Sequence, residues 1–375
     1  MKILQIHNKY IYRGGEETVL EAENKLLVKN GHTVHQIIRS NKVEIKNLFD
    51  VFKILSQVTY SKKSLKILEE KIDQNNLPDI VHIHNIFPLW TYSIIDFFKK
   101  KNIPMVMTLH NYRLIWDKIS FFDKDFSKFG FFKNSKILTY IVSRIFNKKK
   151  KLINSVDKFI TFTNFTRNKF IKSGLSKSNI VIKPNFLVKK TKKNKSILKK
   201  ENAIYASRIS REKGITTLLQ AWDDIDLKLK IYGDGPLFDF CKKNQNQNIK
   251  FYGNKNRDFV NKKISNSKML IFPSEWYECM PMTILEAFNE GTLVIASNIG
   301  SISNIIKNFH NGILFEPGNP NDLKKKVKWA LKNPKDCNKM VDNAKKLFLS
   351  KYSENVNYKL LINIYKNTLK NKKIA

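Results

Sequence analysis

Cysteine is scarce: Cys241, Cys279 and Cys337 are the only three in 375 residues, too few and too scattered for a disulfide framework or a zinc ribbon. That usage fits a reducing compartment, and the expected location is cytoplasmic. No run of about 18 consecutive apolar residues occurs, which argues against a transmembrane helix. Membrane contact, if any, is expected to be peripheral, on the inner face of the cell membrane. The opening Met1-Lys2-Ile3-Leu4-Gln5-Ile6-His7 is broken at once by polar residues, so a secretory signal is not expected. Glycine (13) and proline (10) are sparse while 42% of residues are hydrophobic, which excludes a fibrous or disordered chain. Acidic residues are short too: 32 Asp and Glu stand against 69 Lys and Arg, a net charge of +37. An excess of that size calls for anionic partners such as nucleotides, nucleic acid or acidic lipid headgroups. An AT-rich genome that enriches Lys, Asn, Ile and Phe throughout would produce the same charge, so charge alone names no partner.

The length gives a prior of two domains at about 150 residues each. Short apolar runs alternate with segments of helical period, the mark of parallel strands joined by crossover helices. The fold class is therefore α/β. Strands are expected near 2–7, 33–38, 79–84, 104–109, 157–162 and 179–182, then near 203–206, 227–232, 248–252, 268–272, 293–296 and 312–315. Between the first two, Glu16 to Lys29 spaces Val19, Leu20, Leu26 and Leu27 along one helix face. The basic, aperiodic stretch Val188 to Lys195 reads as a solvated linker. The expected organisation is a doubly wound domain over 1–187, a linker at 188–200, a second doubly wound domain over 201–350, and a terminal helix in 351–375 returning to the first. Two such domains facing across a cleft would place their function at the carboxyl ends of both sets of strands.

The segment from Pro273 to Phe288 is the most informative. It follows the strand Met269-Leu270-Ile271-Phe272 and passes through Pro281 into a helix whose Ile284, Leu285 and Phe288 make an apolar face. A helix N-terminus in that place is an anion site. Glu278 lies before it and Glu286 within it, so the two carboxylates can address separate hydroxyls of one ligand. Gly14 and Gly15 follow the first strand and precede a helix, where backbone N–H groups can approach a phosphate or sugar; an ordinary loop is the alternative. No G-x-G-x-x-G is present there, against a dinucleotide oxidoreductase. His110 ends an apolar strand and is expected to face the cleft, unless it is a structural histidine bonded to the backbone. His82 and His84 alternate on one side of a strand, a spacing able to hold a metal, but no third ligand is evident, so they read as structural or acceptor-side residues.

Glu278 and Glu286, set in PSEWYECMPMTILEAF and followed by Gly291 to Ser297, resemble the E-x7-E signature of family-four retaining glycosyltransferases with the GT-B fold. Supporting matches are Gly14-Gly15, Asp79 to Asn85, Thr108 to Arg113, Lys183 to Phe186, Ser207 to Gly214 and Gly233 to Pro236. The resemblance implies a nucleoside-diphosphate sugar as co-substrate, no further cofactor, and a glycan or glycolipid acceptor in surface polysaccharide synthesis. It implies Glu286 on the ribose hydroxyls, Glu278 on the transferred sugar, Arg208 and Lys213 on the diphosphate, and His110 against the donor sugar. Gly14, Gly15, Met280, Pro281, Met282 and Thr283 complete the implied donor site. Charge chemistry supports the cations, since the leaving diphosphate gains negative charge and no acidic cluster in the sequence offers a metal site. No metal is expected, and retention is implied by the family.

Departures from the family's pattern are Cys279, where members often carry glycine or proline, and Ile115-Trp116-Asp117, where members often carry a cysteine-containing insertion. Residues 121–151 interleave phenylalanine with lysine and end in Lys148 to Lys151, a mixture suited either to an anionic membrane surface or to a helix packed on its own domain. Two other readings remain: a basic nucleic-acid-binding protein, weakened by the absence of a recognition motif, and a catalytically silent sugar-binding relative.

Overall fold

The computed structural model describes residues 1–9, 14–40, 60–73, 75–86, 89–114, 155–187, 200–243 and 245–374. All twelve expected strands are present, in two parallel six-stranded sheets. The first sheet comprises β1 (Lys2–Lys9), β2 (Thr33–Ser40), β3 (Ile80–Ile83), β4 (Met105–Thr108), β5 (Lys158–Thr161) and β6 (Ile180–Ile182), in the order β2-β1-β3-β4-β5-β6. The second comprises β7 (Ala203–Ala206), β8 (Leu229–Tyr232), β9 (Ile249–Phe251), β10 (Met269–Phe272), β11 (Leu293–Ser297) and β12 (Ile313–Phe315), in the order β12-β11-β10-β7-β8-β9. Strands of this kind are buried on both faces, which is why they read as continuous apolar runs. In β10 and β11 every residue is buried.

Each order reverses once. In the first sheet the reversal lies between β1 and β3, paired Ile3 with Ile80 through Ile6 with Ile83. In the second it lies between β7 and β10, paired Ala203 with Met269 and Ile204 with Leu270. Such switch points leave room for a ligand beyond the strand carboxyl ends.

The chain forms two compact units. One holds Met1–Thr161, Arg167–Lys183 and Tyr358–Ala375; the other holds Phe162–Thr166 and Pro184–Asn357. In the first unit, Leu361, Ile362 and Tyr365 of the terminal helix Glu354–Ile374 share a core with Ile3, Leu27, Ile80, Val106 and Ile160. In the second, Trp222, Leu229, Ile231, Ile271 and Ile295 belong to one core. The basic stretch 188–195 and the aromatic segment 121–151 lie outside the described residues, as does Ile115-Trp116-Asp117.

Candidate functional site

The predicted residues of the second unit converge on the carboxyl ends of β7 and β10. After β7 the chain makes a single 3-10 turn, Arg211–Lys213, that ends at Gly214 with φ +68°. A Cβ there would stand 1.8 Å from the carbonyl oxygen of Pro273, so only glycine lets this loop press against the exit of β10. The backbone N–H of Glu275 donates to the carbonyl of Glu212 at 3.0 Å, and the hydroxyl of Thr283 reaches the carbonyl of Ala206 at 3.5 Å. The two loops are thus tied together at the switch point.

That closeness delivers Lys213 to Glu278. Its ammonium lies 2.5 Å from Oε1, which also accepts from the Ser274 hydroxyl at 2.9 Å. Both side chains are largely covered, 23% and 15% exposed, so the pair is partly shielded from solvent. Glu286 is deeper, in the second turn of helix Met282–Glu290, and its Oε1 accepts from Arg257 Nε at 2.5 Å. Pro281 is the cap residue just before that helix, one position earlier than a first-turn proline. Met280 and Pro281 are buried, with Met280 Sδ accepting from the N–H of Asn185 at 3.1 Å, while Met282 and Thr283 remain half-buried. Arg208 is exposed and forms no ion pair with a described residue. Cys279, the departure in this loop, is simply buried.

Arg257 was not legible. It is one of 69 basic residues, on a different helix from Glu286, with no motif around it.

In the first unit Gly14 caps helix Gly15–Lys29, and its N–H already donates to Glu17 Oε2 at 2.8 Å. The Gly14 amide is therefore engaged by its own helix, as in a capping box, and the adjoining Gly15 begins the helix. His110 follows β4, and His84 follows β3 directly beside it. Their Nε2 and Nδ1 atoms are 3.0 Å apart. His84 in turn approaches Glu23 Oε2 through Nε2 at 3.4 Å, while Lys183 bonds Glu23 Oε1 at 2.6 Å. His82 is held by the hydroxyls of Tyr365 and Thr108, each at 2.7 Å.

Glu23 supplies the third ligand that the histidine pair lacked in sequence: Glu23, His82 and His84 offer ligand atoms within 4.8 Å of one another. A cation already serves them, however. The Lys183 ammonium neutralises Glu23 inside a site where both side chains are fully buried, so the donor set does not call for a metal. Burial alone would raise the Glu23 pKa, but the Lys183 ammonium overcomes it and holds the carboxyl below its ordinary value. Burial pushes the imidazoles of His82 and His84 well below theirs and lowers His110 to about 3, so all three are neutral. The signal for Glu23 was present: it lies four residues after Val19 and four before Leu27, a carboxylate on the apolar face of its helix.

Comparison with known proteins agrees with this division. Residues 13–187 match the model "Glycosyltransferase Family 4", and residues 188–347 match "Glycosyl transferases group 1". An uncharacterised glycosyltransferase of Methanocaldococcus jannaschii is 27% identical over 370 residues, covering 94% of each chain. A lipopolysaccharide 1,2-N-acetylglucosaminetransferase of Salmonella typhimurium is 30% identical over 172 residues, 41% of this chain and 45% of that one. Among solved structures, HepE of Anabaena in complex with UDP-glucose superposes with a TM-score of 0.70 at 15% identity, over 98% of this chain and 100% of that one.

Proposed function

The chain is a glycosyltransferase of the GT-B fold, with a family 4 domain ahead of a group 1 domain, and on that premise we propose that it transfers a hexose-type sugar from a nucleoside diphosphate to a hydroxyl of a lipid-carried surface glycan, with retention and without a metal. The observation that carries the reading is the constellation near the β7/β10 switch point: Lys213 on Glu278 and Arg257 on Glu286, with Arg208 exposed in the loop after β7. Cations and carboxylates in one place suit a ligand that is anionic at the diphosphate and hydroxylated at both ends. Lys213 and Arg208 take the diphosphate, Glu286 the ribose, and Glu278 the sugar hydroxyls. The loop Met280 to Thr283 lines the donor. Relatives support the substrate class: HepE binds UDP-glucose, and the Salmonella enzyme acts on lipopolysaccharide.

In the reaction the bond from the anomeric carbon to the phosphate oxygen breaks and one to the acceptor oxygen forms on the same face. The acceptor proton passes to the departing phosphate oxygen, so neither glutamate serves as base, unlike the carboxylate pair of a glycosidase. A panel of nucleoside-diphosphate sugars assayed for nucleoside diphosphate release, with the product anomer read by NMR, tests the reading. An inverted product would reject retention, and no release from any donor would reject transfer.

Replacing Glu286 or Glu278 by glutamine removes a charged hydrogen bond worth about 1.5–3 kcal/mol, so kcat/KM should fall on the order of ten- to a hundredfold. Wild-type kinetics in both variants would refute the assigned roles. Activity should also survive EDTA, because side-chain cations stabilise the leaving group; complete loss restored by magnesium or manganese would show that they do not suffice. A lipid-carried acceptor would bring the basic, aromatic segment 121–151 to an anionic membrane surface.

A further inference from the structure

We propose that residues 307–312 of the second unit, with Phe309 exposed on them, dock that unit on an anionic lipid bilayer. The turn they form leads from the helix Ile302–Ile305 into β12, and side-chain hydrogen bonds fix it. The N–H of Lys307 donates to Asn311 Oδ1 at 2.6 Å, the N–H of Leu314 donates to Asn308 Oδ1 at 2.9 Å, and Asn311 Nδ2 donates to the carbonyl of Ile305 at 3.0 Å. Held in this way, residue 309 stands at φ +53°. Glycine takes that conformation freely and asparagine readily, but for a bulky side chain it is an outlier. The strain of a phenylalanine there has to be offset, and packing alone does not offset it, because the residue remains 42% exposed.

Its surroundings are basic. Lys326 Nζ lies 5.3 Å from the centre of the Phe309 ring, and Trp329 meets the ring edge-to-face with centroids 4.8 Å apart. Both belong to the helix Pro320–Lys332, where Lys325 and Lys332 share the face of Trp329. Asn343 of the following helix, Pro334–Leu347, donates to the carbonyl of His310 at 2.9 Å, and Lys339 and Lys346 lie one turn to either side of it. The two helices hold nine lysines and three aspartates. Lys324 and Lys328 turn to Asp224, Lys326 shares Asp322 at 3.8 Å, and Lys339 shares Asp336 at 3.4 Å. Lys307, Lys325, Lys332 and Lys346 are exposed and form no ion pair with a described residue.

An exposed aromatic ring among unpaired lysines suits a surface that meets acidic headgroups with its cations and the acyl boundary with its ring. The geometry favours a bilayer over single-stranded nucleic acid. The Lys326 ammonium sits over one face of the Phe309 ring, which leaves less for a base to stack on, whereas insertion into a bilayer needs no free face.

The test is flotation of the full chain with phosphatidylglycerol or phosphatidylcholine vesicles. Wild type should float with the first and stay behind with the second. Phe309→Gly should keep the wild-type melting transition, because glycine suits the turn, and its partitioning onto phosphatidylglycerol should fall about tenfold. A local readout separates this face from other basic regions of the chain: amide hydrogen exchange across 307–312 should slow on phosphatidylglycerol vesicles and not on phosphatidylcholine. Wild-type flotation by Phe309→Gly, or exchange across the turn that vesicles leave unchanged, would overturn the proposal. A large drop in the melting temperature of Phe309→Gly would also overturn it, by making the ring part of the core. Unchanged flotation together with weaker binding of that variant to a single-stranded oligonucleotide would reassign the face to nucleic acid. None of these readouts involves sugar transfer, so their outcome is independent of the donor panel.

Discussion

Lys213→Ala should lower kcat/KM for the sugar donor by about 10²- to 10³-fold, the largest loss expected from any single side chain of the second unit. A lone electrostatic stabiliser aimed at charge that develops in the transition state is worth about 2.7–4 kcal/mol, because the folded site is organised in advance and needs no rearrangement when the charge appears. Lys213 is the candidate for that role. It is delivered by a turn that Gly214 alone permits, and its side chain is 23% exposed beside a carboxylate that can share it. The loss should appear chiefly in kcat, with UDP affinity reduced less, because the bridging oxygen carries more charge as the sugar departs than it does in the bound ground state. Folding should be little affected, since Glu278 keeps the Ser274 hydroxyl as a partner at 2.9 Å. Steady-state kinetics with a thermal melt as control are the check, and a variant within threefold of wild-type kcat would remove Lys213 from leaving-group stabilisation. Combining it with Glu278→Gln should give less than the sum of the two losses, because the residues are in contact.

The placement of this site was legible for a physical reason. Parallel strands buried on both faces leave long apolar signatures, and residues immediately after such a strand must emerge at its carboxyl end. Arg208, Lys213 and Glu278 were therefore located by their sequence distance from Ala203-Ile204-Tyr205-Ala206 and Met269-Leu270-Ile271-Phe272. What sequence does not carry is pairing between elements far apart in the chain. Arg257 meets Glu286 across 29 positions, and Lys183 meets Glu23 across 160. Nothing local distinguishes either cation from its neighbours. Gly14 is a different case: its position was correctly read as the start of a helix, but the competing acceptor, Glu17 three residues later, belongs to the helix itself and occupies the Gly14 amide. A capping box and an anion-binding loop share the same glycine signature until the side-chain geometry is seen.

The same buried network sets the acid stability of the first unit. His82, His84 and His110 are neutral in the folded state, chiefly because burial disfavours the imidazolium, with His110 lowered to about 3. In the unfolded chain each would take a proton near pH 6.5. Folded values below unfolded ones mean that the unfolded state binds more protons as pH falls below 6.5, so stability is lost in that direction. Each proton withheld in this way steepens the loss by up to about 1.4 kcal/mol per pH unit. Glu23, held below its ordinary 4.5, contributes stability that is present above that value and is lost only as pH falls further, so it adds to the loss at the acid end. Against a typical total of about 5–15 kcal/mol, losses of this kind are large enough to make the first unit acid-sensitive. The second unit holds none of these three buried histidines, so its transition should move less between pH 6.5 and 5. Denaturant titrations at pH 7, 6 and 5, followed by hydrogen exchange to assign each transition, would show the difference. His110→Asn should reduce the slope by one proton, about 1.4 kcal/mol per pH unit. A first-unit transition equally stable at pH 6.5 and pH 5 would mean that these histidines are protonated as readily in the fold as outside it, and that the buried network is not neutral.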